Sequence, residues 1–97
     1  MILTVAPGTG LEAASALLPS AQVTDLASYI EYKAGAGIPE LKADSPERYA
    51  VLAAEALRDL IVTSQISGAD AVIRLCDDTA SLPDCERMLR EYCRAAE

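Results

Sequence analysis

The residues best suited to chemistry are three cysteines, one acidic knot and one glycine-rich turn. Cys76, Cys85 and Cys93 supply thiols, but a thiol nucleophile needs a base beside it and the chain has no histidine. A zinc centre would need a fourth ligand and CxxC-type spacing, which these positions lack. Cys85 and Cys93 fall on the apolar face of the last expected helix, so they read as buried thiols that pack like small hydrophobes. Their odd number, with no basic and apolar leader at the N-terminus, predicts reduced cysteines. Asp77, Asp78, Asp84 and Glu86 lack the DxDxDG…E order of a calcium loop. Asp84 and Glu86 suit a helix N-terminus, and Asp77 and Asp78 read as a solvated turn able to meet a basic partner. Pro7-Gly8-Thr9-Gly10 lacks the lysine of GxxxxGK[ST] and the third glycine of GxGxxG, so it reads as a turn. No catalytic, cofactor-binding or metal-binding residue is expected, and the chain is not read as an enzyme.

The elements that hold these residues follow from spacing. Ile2, Leu3 and Val5, closed by Pro7-Gly8, predict an extended N-terminal arm over 1–10, either an edge strand or a segment lying on a neighbour. Leu11–Leu18 suits a short helical turn ended before Pro19. Ser20 suits an N-cap, and Val23, Leu26, Ala27, Ile30 and Ala34 then trace one helical face. Tyr29 and Tyr32 flank that stripe. Gly35, Gly37, Pro39 and Asp44 predict a flexible loop over 35–45, with Ile38 and Leu41 as its apolar members. Ser45-Pro46-Glu47 is a strong helix start, and Tyr49, Leu52, Ala53, Ala56, Leu57, Leu60 and Ile61 form a stripe over 46–63. Segment 69–76 stays open between strand and helix. Ser81-Leu82-Pro83 opens a last helix whose face is Cys85, Met88, Leu89, Tyr92, Cys93 and Ala96. Glu86–Arg90 and Arg87–Glu91 pair at i,i+4 on its other side.

The chain has 97 residues, enough for a single domain over 1–97 with one core. Eighteen residues are alanine and none is phenylalanine or tryptophan, so the core gains little apolar area per residue. That shortage favours dependence on copies of itself or on a partner. Fifteen acids against eight bases give a formal charge of −7, spread over both halves. Nucleic-acid backbones want clustered positive charge, so direct DNA or RNA binding is not expected. No apolar stretch is long enough to span a membrane.

Val5-Ala6-Pro7-Gly8-Thr9-Gly10-Leu11, Ala14-Ser15, Ser20-Ala21 and Asp25-Leu26-Ala27-Ser28-Tyr29 together resemble the opening of small neck, or head–tail connector, proteins of tailed phages. The helix from Pro46 to Leu60 is similar to that group's Ala-rich middle helix. Leu82-Pro83 with Cys85 to Ala96 is similar to its closing helix. The group is sometimes labelled DnaT-like and single-stranded-DNA-binding, a label at odds with a charge of −7. This chain also lacks the group's Trp-containing basic stretch, and Ile66 to Asp78 has no counterpart in it. The resemblance implies a virion protein, assembled in the host cytoplasm, that forms a ring of copies between portal and tail without catalysis.

The expected fold is therefore mainly α: a small bundle of three main helices with an extended N-terminal arm and room for one short strand over 69–76. Ile2, Leu3, Val5, Tyr29, Tyr32, Ile38, Leu41, Asp77 and Asp78 are its expected interface residues. The alternative function is a small acidic inhibitor that mimics nucleic acid and occupies a basic host protein.

Overall fold

The computed structural model describes residues 1–96. Its centre is a sheet of four parallel strands in the order β2-β3-β1-β4. The strands are β1 (Ile2–Val5), β2 (Gln22–Asp25), β3 (Ala71–Arg74) and β4 (Arg94–Ala95). Five helices connect them: α1 (Leu11–Leu17), α2 (Leu26–Ala34), α3 (Ile38–Asp44), α4 (Pro46–Ser67) and α5 (Pro83–Tyr92). The fold is α/β, which overturns the expected three-helix bundle.

Each departure has a local cause. The N-terminal segment is a central strand, bonded to β3 on one side and β4 on the other. Strands of parallel sheets are covered on both faces and so read as plain apolar runs, which a run of four positions cannot distinguish from an arm. Ile2 and Val5 are buried inside the subunit, so their apolar area is already used. The helical spacing from Val23 onward mixes two elements. Ser20 lies in a turn, Gln22–Asp25 is strand, and the helix starts only at Leu26. The glycines and proline of 35–45 punctuate helices instead of loosening a loop. Gly35 ends α2 at φ +70°, Gly37 is the N-cap of α3, and Pro39 sits in its first turn. The expected helix start at Ser45 is present, with its hydroxyl accepting from the Arg48 amide. That helix runs on to Ser67, where Gly68 closes it at φ +70°. Segment 69–76 resolves as β3. The last helix stops at Tyr92, and Cys93 turns extended to feed β4.

Alternation along the strands sorts the core into two layers. Ile2 and Ile73 face α2, α3, α4 and α5, with Leu26, Ile30, Leu41, Tyr49, Leu57, Ile61, Cys85 and Met88 around them. Val5 and Val72 face the other way and meet Ala14 of α1. The second layer is thin, because α1 has only seven residues and contributes alanine at its one buried position.

Candidate functional site

In an open parallel sheet, ligands sit beyond the carboxyl ends of the strands, where successive crossovers leave in opposite directions. Here that point lies between β1 and β3. The chain leaving β1 passes β3 to reach β2, and the chain leaving β3 passes β1 to reach β4. Helices α1 and α5 accordingly pack on opposite faces, as right-handed crossovers in opposite directions require.

A cleft of about 240 Å³ opens at this end, lined among others by Pro7, Asp25, Lys42, Tyr49, Arg74 and Asp78. Arg74, the last residue of β3, donates from Nε to Asp25 Oδ1 at the end of β2, 3.0 Å away. Its other arm donates to the Thr9 carbonyl at 3.1 Å, which ties the β1–α1 loop to the sheet. Ser28 Oγ donates to the second oxygen of Asp25 at 2.8 Å. Arg74 foremost, together with Ser28, holds the Asp25 carboxyl below its ordinary pKa against the opposing effect of burial.

On the far side, Tyr49 Oη donates to Asp78 Oδ1 at 2.9 Å and Lys42 Nζ lies 3.0 Å from Oδ2. The Lys42 ammonium also sits over the Tyr49 ring, 4.9 Å from its centre. Burial alone would raise Asp78, but Lys42 and Tyr49 outweigh it and lower its pKa. Burial, with Asp78 as acceptor, pushes the Tyr49 hydroxyl well above its ordinary value. Asp25, Arg74, Lys42 and Asp78 are thus each engaged by a residue of the same chain.

The loop after β1 occupies the place where phosphate-binding loops lie in such sheets. From Ala6 to Leu17 the chain has no lysine or arginine, so no register of GxxxxGK[ST] finds its cation there. Burial raises all three thiols, Cys85 and Cys93 to about 11, so at neutral pH they remain thiols.

The structure brings Ile38, Asp77 and Asp78 to the rim of this cleft and scatters the other expected residues. Leu41 is buried in the core. Leu3 is half-buried against Val5 and Val72. Tyr29 packs on the core and stacks with Tyr32 at 6.4 Å between ring centres, while Tyr32 is 83% exposed. Sequence reasoning missed Asp25, Lys42, Tyr49 and Arg74 as a group. The usable signal was the apolar run Ile2–Val5 with a glycine turn and a helix behind it, which is the start of a βαβ unit.

A second feature lies along α4 and α5. Two adjoining grooves, of about 380 and 200 Å³, share Arg58, Arg87 and Met88. Val51, Val62 and Tyr92 line them and are 57%, 40% and 50% exposed. No family model, curated protein or solved structure matches the chain.

Proposed function

We propose that this chain is a structural, protein-binding subunit that assembles with copies of itself. The observation that carries this reading is the strip on α4 and α5. Val51, Val62 and Tyr92 expose apolar area in line, around Arg58 and Arg87. Contiguous exposed apolar surface marks contact sites. The grooves carry both signs, Arg58 and Arg87 among Glu55, Asp84 and Glu91, so a facing patch of another copy meets interleaved charges there. A contact between two different patches is head-to-tail and closes into a ring when its rotation allows. The resemblance of residues 5–29 to phage connectors supplies the setting: a ring between portal and tail, with those proteins as further partners.

The cleft at the strand ends supports the same reading, since Asp25, Arg74, Lys42 and Asp78 are spent on holding the segments of this chain together. An acidic mimic would want free carboxylates on one face. Asp25, Asp59, Asp78 and Glu86 instead meet Arg74, Lys33, Lys42 and Arg90, which takes these four out of any such face. Sedimentation of the wild type and of a Val51→Glu/Val62→Glu variant tests the proposal. The wild type should exceed dimer mass and the variant should lose the larger species. A wild type never larger than a dimer refutes it.

A further inference from the structure

The outer edge of β2 is open, whereas the opposite edge of the sheet is blunted. β4 has two residues and carries Arg94, and short, charged edge strands resist further pairing. β2 has four residues, Gln22-Val23-Thr24-Asp25, with no proline, lysine or bulge among them. The Gln22 amide points to β3, donating to the Asp70 carbonyl at 3.3 Å. Alternation then turns the amide and carbonyl of Val23, the carbonyl of Ala21 and the amide of Asp25 toward the outside. A cleft of about 210 Å³ lies between α4 and the face of the sheet, lined by Gln22, Thr24, Leu60, Thr63, Ala71 and Ile73 among others.

We propose that β2 pairs antiparallel with β2 of a second copy, about a two-fold axis through Val23, to give one continuous eight-stranded sheet. The outward groups are self-complementary in that register. Val23 exchanges both its hydrogen bonds with Val23 of the other copy, and each Ala21 carbonyl accepts from the opposite Asp25 amide. Gln22 faces Thr24 across the axis, so no like charges oppose each other. A parallel pairing would set the two Asp25 carboxylates side by side, which is unfavourable. An extended segment of some other protein could bond the same outward groups, but it would give no Gln22–Thr24 crosslink between copies. This contact goes beyond the α4/α5 reading and does not rest on it.

Val23→Pro is the discriminating variant. It removes an outward amide and leaves the β2–β3 ladder intact, because that amide plays no part in it. In light scattering over a concentration series, the Val51→Glu/Val62→Glu protein should approach the mass of two chains, and adding Val23→Pro should return it to the mass of one. Register is read by oxidative crosslinking. A mixture of Gln22→Cys and Thr24→Cys chains should form a disulfide dimer, since a directly opposed pair lies within disulfide reach. Either variant alone should not, being two residues out of step, and neither should the wild type. A protein that stays dimeric with Val23→Pro, or a mixture that fails to crosslink, overturns the proposal. If Val23→Pro does not fold, the crosslinking result decides. A wild type that forms this dimer and nothing larger would refute the α4/α5 reading alone. Large assemblies that survive Val23→Pro, with no crosslink, would refute the edge alone.

Discussion

Arg74 Nε and Asp25 Oδ1 lie 3.0 Å apart although 49 residues separate them in the chain. The pair joins the ends of neighbouring parallel strands, and the remaining arm of the same guanidinium fixes the loop after β1. One side chain therefore holds three segments at the place where a sheet of this kind would otherwise hold a ligand.

The Asp25 pKa is lower folded than unfolded, so the pair stabilises the fold above about pH 4, the ordinary aspartate value. That contribution disappears as pH falls through the depressed value. Arg74→Gln should lower the melting temperature at pH 7. The gap between variant and wild type should narrow toward pH 2 in a calorimetric series.

Tyr49 is buried and donates to a carboxylate. Tyr49→Phe should cost about 1–2 kcal/mol in urea denaturation, the range for losing a hydrogen bond to a charged acceptor. Because the folded hydroxyl ionises above the ordinary value near 10, its stabilisation is complete below pH 10 and fades as pH rises beyond it. Ultraviolet titration should show a tyrosine still protonated past that point.

Gly68 ends α4 at φ +70° with open space around its Cα. Gly68→Ala should cost about 1–2 kcal/mol from backbone conformation alone. Thermal denaturation measures it.

Cys85 is fully buried and its thiol is pushed up to about 11. Cys76 and Cys93 are half-buried and shifted the same way. Labelling by a disulfide reagent at pH 8 should be slow in the native protein and reach three thiols per chain in denaturant.

The long helices were legible in the sequence because their signals are redundant. Ser45-Pro46-Glu47 gives start chemistry and the stripe from Tyr49 to Ile61 gives phase, so α4 follows from either. The strands were only partly legible: β3 falls in the segment left open between strand and helix, and β1 in the run read as an edge strand or an arm. Each has two to four residues, too few for alternation to show, and parallel pairing buries both faces of β1. Gly35, Gly37 and Pro39 misled for a different reason, since the residues that loosen a loop also cap helices. The charge network was hidden because its members come from α3, α4 and three strand ends. Only the sheet order brings Arg74 to Asp25 and Lys42 to Asp78.

Sedimentation equilibrium of the unmodified chain bears most directly on the claim that this protein works by joining other protein surfaces. Masses several times that of one chain, falling when Val51 and Val62 become glutamate, are the predicted result. A single monomeric species at every concentration, indifferent to both substitutions, would contradict it.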